Sequence, residues 1–191
     1  MSKGRLEAFS DGVMAIIITI MVLELHVPEG DDLAALIPLI PVFVSYALSF
    51  IFIGIYWNNH HHLLQAVHRV DGSVLWANLH LLFWLSIVPF ATGWMGENNF
   101  STWTVALYST ILLLAAFAYL ILTRALIAAN GDDSALAAAV GNDLKAKISV
   151  ALYVLAIPMS FLSSWLAYAL ILLVAVIWLV PDRRIEKTLA S

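Results

Sequence analysis

The residues of this chain that could do chemistry gather near its start and around one histidine run. Arg5, Ser10 and Asp11 open an apolar stretch that continues to Leu25. Charged groups carried into a spanning helix are costly, so by default they mark work inside a helix bundle. An arginine and a carboxylate there could pair, bind a cation or relay a proton. The run Trp57-Asn58-Asn59-His60-His61-His62, followed by His68, offers imidazoles for metal binding or proton transfer. Successive helical positions diverge by about 100°, however, so three adjacent histidines cannot converge on one ion as an i, i+4 pair would. With no HExxH motif and no cysteine, an intramembrane metal hydrolase is disfavoured, and neither a cofactor nor a resident metal is expected.

Asp11 lies about two turns into the first helix, too deep for a comfortable surface carboxylate. It calls for a cation or several donors. Arg5, the histidines ending the second span and His80 are the candidates. Structural pairing is favoured over direct ion binding, and a proton relay ranks below both. Asn78 and His80 lie in an apolar stretch and should face protein, because lipid offers them no partner. Ile16, Thr19, Ile20 and Leu23 share one helical face, with Phe9 and Gly12 below them and Asp11 nearly opposite. On composition alone such a stripe fits lipid or core contact. Glu24, one turn above and near Glu29, Asp31 and Asp32, raises a pore reading, since it would give the outer mouth a negative charge that attracts cations.

The elements that position these groups are membrane spans. The chain has 191 residues, 62% hydrophobic and only 12% charged, with mean hydropathy +0.93. A soluble domain of that size would need far more charge on its surface, so an integral membrane protein is expected. No basic patch suggests nucleic acid. With about 20 apolar residues per span, the first four fall near Arg5–Leu25, Pro38–His62, Ser73–Trp94 and Trp103–Ile127. The apolar stretch from Ile148 to Val180 is too long for one span, and Ser160, Ser163, Ser164 and Trp165 mark a hairpin between a fifth and a sixth. Trp94 and Trp103 suit an interfacial aromatic belt, and Ala115, Ala116 and Ala118 suit close helix packing. All nine Lys and Arg fall at the N-terminus, in the 2–3 and 4–5 connections and in the tail, which share one side only with six spans. The positive-inside rule then puts both termini in the cytoplasm.

Arg5-x-x-x-Phe9-Ser10-Asp11 resembles the signature of the transmembrane protein 175 family of potassium channels. Trp57-x-x-His60-His61, Arg69-x-Asp71, Asn78 and Pro89-Phe90 are similar to that family's second and third helices. The resemblance implies a potassium-permeable cation channel in the cell membrane, in which a single six-helix domain (residues 1–191) assembles as a homotetramer around a pore lined by helix 1. It implies a narrowest point at Ile16, five residues beyond the motif aspartate, with further layers at Thr19 or Ile20 and at Leu23. It also implies a network in which Arg5, Ser10 and Asp11 join His60 or His61, Asp71, Trp76 and His80.

The expectation is therefore an all-α integral membrane protein, not an enzyme, that conducts K⁺ passively and prefers it modestly over Na⁺, with other monovalent cations and bilayer lipid as further partners. The alternative is a proton-coupled secondary transporter using Asp11 and the intramembrane histidines. Against it, no helices are interrupted at repeated positions, the usual mark of a substrate site.

Overall fold

Leu6, Ser10, Met14, Ile17 and Met21 recur every three or four residues and form the buried face of the first helix, α1 (Lys3–Met21). The computed structural model describes residues 2–140 and 144–179. After α1 the chain tightens into a short 3-10 turn, Val22–Glu24, then crosses to a second 3-10 segment, Leu33–Leu39. The Asp32 carboxylate caps that segment by accepting the Ala35 N–H at 3.0 Å. The second span thus differs from the expected single helix starting at Pro38. Neither Pro38 nor Pro41 has an N–H to donate, and the α-helical ladder of α2 (Ile40–Gln65) begins only at Ile40.

The remaining helices are α3 (Gly72–Glu97), α4 (Thr102–Asn130), α5 (Ala135–Val140), α6 (Leu144–Leu162) and α7 (Ser164–Leu179). Five segments, Lys3–Glu24, Leu33–Gln65, Gly72–Glu97, Thr102–Asn130 and Leu144–Leu162, are long and apolar enough to cross a membrane. The expected fifth and sixth spans correspond to α6 and α7, separated at Ser163. α7 is equally apolar but has 16 described residues, about 24 Å of helix against a core of about 30 Å. The tail residues Arg183, Arg184 and Lys187, which contribute to the expected topology, lie outside the described residues.

The core forms around α3 and α4, with α6 and α7 on one flank and α1 and α2 on the other. Lipid is as apolar as leucine, so such helices associate through close packing and hydrogen bonds rather than hydrophobic burial. Both are visible. At Gly96 a β-carbon would stand 2.7 Å from the Val42 Cα, so only glycine lets α2 and α3 approach there. Ser49 of α2 meets the hydroxyls of Thr92 in α3 at 2.6 Å and Tyr108 in α4 at 2.8 Å, three helices joined at one buried point. The α3–α4 turn runs through left-handed Asn99 and Phe100 (φ 50° and 57°). A ring in that conformation is strained, and Phe100 is held there by burial against Tyr168 and Trp165, with centroids 4.8 and 5.5 Å away.

At the other end of α4, Asn130 clamps the turn between α2 and α3. Its Oδ1 accepts the backbone N–H groups of His68 and Arg69 at 3.0 and 2.9 Å, while its Nδ2 donates to the carbonyls of Arg69 and Leu126 at 3.0 and 2.9 Å. An amide alone can serve both roles. Asn130→Asp keeps the two accepted bonds but loses both donated ones, and it should lower stability by about 1–3 kcal/mol. Thermal unfolding of the purified protein in detergent measures this; an unshifted midpoint would show that the clamp is dispensable.

Candidate functional site

The site is best built from α1, whose two sides face different environments. On the inward side, Ser10, Asn78 and His60 are all fully buried and form one directed chain of hydrogen bonds. The Ser10 hydroxyl donates to the Leu6 carbonyl at 2.9 Å, leaving its oxygen to accept from Asn78 Nδ2 at 2.9 Å. Asn78 must then present Oδ1 to His60 Nε2, 2.7 Å away. A carbonyl oxygen only accepts, so the His60 hydrogen sits on Nε2. Nδ1 of the same ring is buried and has no partner. One chain thus ties α1 to α3 and α3 to α2.

A second set of contacts joins α1 and α2 along their edge. Trp57 Nε1 donates to Asp11 Oδ1 at 3.0 Å. One turn on, His61 Nδ1 lies 3.4 Å from Glu7 Oε1 and stacks on Trp57, with centroids 6.2 Å apart. Gln65 holds the other imidazole nitrogen of His61 at 2.8 Å. Glu7 and Asp11 are four residues apart, as are Trp57 and His61, so antiparallel helices bring the two pairs into register.

The expected network is therefore divided. Asp11 takes an indole N–H rather than a cation. No hydrogen bond or ion pair of the exposed Arg5 guanidinium is formed among the described residues. Asp71 is apart from the histidines; it caps α3 by accepting the Ser73 hydroxyl at 2.6 Å and the Val74 N–H at 3.0 Å. Those two donors, the hydroxyl first, hold its carboxyl below the ordinary range. His80 is not drawn inward either. It is exposed on α3 and accepts the Trp84 N–H within its own helix at 3.0 Å. Trp76 is exposed and forms none of these polar links. His60, His61 and His62 diverge as their spacing requires, and the described residues contain no cluster that could hold a metal.

The outward side of α1 and of the 3-10 turn after it presents Phe9, Gly12, Ile16, Thr19, Ile20 and Leu23, all exposed, with Ile16 at 59% and Leu23 at 72%. Thr19 directs its hydroxyl hydrogen back to the carbonyls of Ala15 and Ile16 at 3.1 and 3.0 Å, so the oxygen offers lone pairs only. Glu24 is half-buried and leans on α3, where a β-carbon at Gly93 would lie 2.8 Å from its Oε2. A notch in α3 thus seats that carboxylate.

Burial separates the two sets of contacts energetically. Asn78→Leu strands a buried imidazole N–H and removes the bond that the Ser10 oxygen accepts, and should cost about 2–4 kcal/mol. Trp57→Phe removes one partly solvated bond and should cost less. Thermal unfolding of both variants checks the order, and an equal or reversed order would contradict the central role given to the Ser10–Asn78–His60 chain.

Comparison with known proteins places these features. Residues 5–89 match the family model described as endosomal/lysosomal potassium channel TMEM175; they include α2 and most of α1 and α3. The chain is 56% identical over 189 residues to a potassium channel of Chryseobacterium sp. (strain P1-3), covering 99% of this chain and 98% of that protein. It is 31% identical over 187 residues to a potassium channel of Chamaesiphon minutus, covering 91% of each. Its fold superposes on the crystal structure of a lysosomal potassium-selective channel TMEM175 homolog from Chamaesiphon minutus with a TM-score of 0.79 at 28% identity, covering 94% of this chain and 97% of the other. The multi-pass helical architecture and the sequence relationship agree: the chain belongs to the TMEM175 family, a family of ion channels rather than enzymes.

Proposed function

We propose that this protein is a potassium-permeable cation channel of the cell membrane, a homotetramer with α1 of each subunit around the pore and both termini in the cytoplasm. One observation carries the reading. α1 is anchored on its inward side by buried polar bonds, and its opposite side is a continuous exposed stripe. The names of its relatives as potassium channels supply the ion.

In this reading Ile16 is the constriction, with layers at Thr19 or Ile20 and at Leu23. Four isoleucine side chains give a dehydrated ion no ligand. Such a ring closes by dewetting and opens by widening. Preference for K⁺ over Na⁺ then falls to pore diameter, partial dehydration and the outward lone pairs of Thr19, so it is modest and other monovalent cations also pass. The Glu24 carboxylate, held against α3, contributes negative potential at the outer mouth. Arg5, exposed and without a partner among the described residues, remains for contact with a neighbouring subunit.

Ile16→Asn replaces the dewetting ring with amides that hold water. In planar bilayers under bi-ionic K⁺/Na⁺ conditions, it should raise the resting current and move the reversal potential toward zero. Unchanged current and reversal potential would remove Ile16 from the conduction path.

A further inference from the structure

On the flank away from the α1 stripe, a cleft lies between α2, α4, α6 and α7. Its open space, mouth and adjoining solvent included, is about 450 Å³. Its walls are apolar, with Phe52 and Ile55 from α2, Val150 from α6 and Trp178 from α7. Asn59 of α2 and Tyr119 of α4 add polar groups to the wall, and two further tyrosines, Tyr56 of α2 and Tyr153 of α6, also line it. These last two are 9% and 2% exposed. Neither hydroxyl makes a hydrogen bond among the described residues, yet neither oxygen is sealed within protein.

The neighbouring polar groups behave otherwise. Ser149, on the same wall, accepts the Trp178 N–H at 2.8 Å and donates to the Lys145 carbonyl at 2.8 Å. Tyr108, deep in the same bundle, is paired with Ser49 at 2.8 Å. A hydroxyl at membrane depth without a partner is costly, so the two tyrosines need theirs from whatever fills the cleft. A bare acyl chain cannot supply one. The apolar walls exclude a charged head, which would have to shed its water there. What remains is a neutral oxygen on an apolar body that fits among aromatic rings.

We propose that this cleft is a binding site for a small, neutral, membrane-soluble amphiphile: a ring-sized apolar body with one hydroxyl or carbonyl oxygen, hydrogen-bonded by Tyr56 and Tyr153. Because Tyr56 adjoins Trp57, which holds Asp11 of α1, the site sits on the helix that anchors the stripe.

The test uses the full chain in lipid nanodiscs and does not depend on conduction. Binding of 4-propylphenol is followed by saturable thermal stabilisation and compared with propylbenzene, which has the same body without the oxygen. The phenol should bind about tenfold more tightly, the difference of one hydrogen bond. Tyr56→Phe/Tyr153→Phe should erase that preference, and Ala116→Phe, which fills the cleft from α4, should abolish binding of both. Three outcomes would overturn the proposal: no saturable binding to the wild type, equal affinity for the two compounds, or phenol binding that survives Ala116→Phe. The first two need no variant, so a misfolded mutant cannot protect the proposal.

Discussion

Lipid makes no hydrogen bonds, and that constraint governs this molecule. Ser10, Asn78 and His60 each bring a polar group to a depth where water cannot reach, and they are joined side chain to side chain in one line of bonds. The chain they form has a single direction, ending on a carbonyl of α1 itself. Rotating α1 by one residue, about 100°, would turn Ser10 away and leave Asn78 with a donor and no acceptor. The rotation of α1 is therefore set by three side chains. The stripe from Phe9 to Leu23 faces outward as a consequence.

The rest of the bundle holds the partners of that chain in position. His60 is on α2 and Asn78 on α3, so the distance between these helices must be kept to a fraction of an ångström. The Ser49–Thr92–Tyr108 junction and the contact at Gly96 maintain it near one end. Asn130 maintains it at the other by gripping the turn that connects α2 to α3. α4 is thus a strut, fastened to both ends of the α2–α3 hairpin. The Glu7–His61 and Asp11–Trp57 pairs add a second line of support along the edge, more open to solvent and accordingly weaker.

Much of the architecture could be read from composition and spacing. Apolar runs of spanning length located α1 to α4 to within a few residues, and the serines near 163 located the break between α6 and α7. The boundary at Pro38 was misplaced because a proline tolerated in a first turn is tolerated equally in a 3-10 segment. α5 was missed because six residues between polar flanks carry no periodic signal. In the site, Ser10 and Asn78 were legible as polar groups that lipid could not accommodate. The same argument failed for His80, which finds Trp84 within its own helix and needs no second helix to pair it. The partner of Asp11 was not anticipated, because an aromatic residue near a helix end suggests an interfacial belt before it suggests a hydrogen-bond donor. The matched four-residue spacings of Glu7 with Asp11 and of Trp57 with His61 were the available clue. They become informative only once the two helices are known to be antiparallel neighbours.

Function depends on one claim, that the outward stripe of α1 is a passive path for ions. The most direct measurement is K⁺ efflux from liposomes containing the purified wild-type protein, followed over a wide range of K⁺ gradients with and without an imposed pH gradient. A channel predicts fast efflux that rises with the gradient without saturating, exceeds Na⁺ efflux under the same conditions and ignores the direction of the pH gradient. Slow efflux that saturates with K⁺ and reverses when the pH gradient is reversed would contradict the account and identify a proton-coupled transporter built around Asp11 and the histidines of α2.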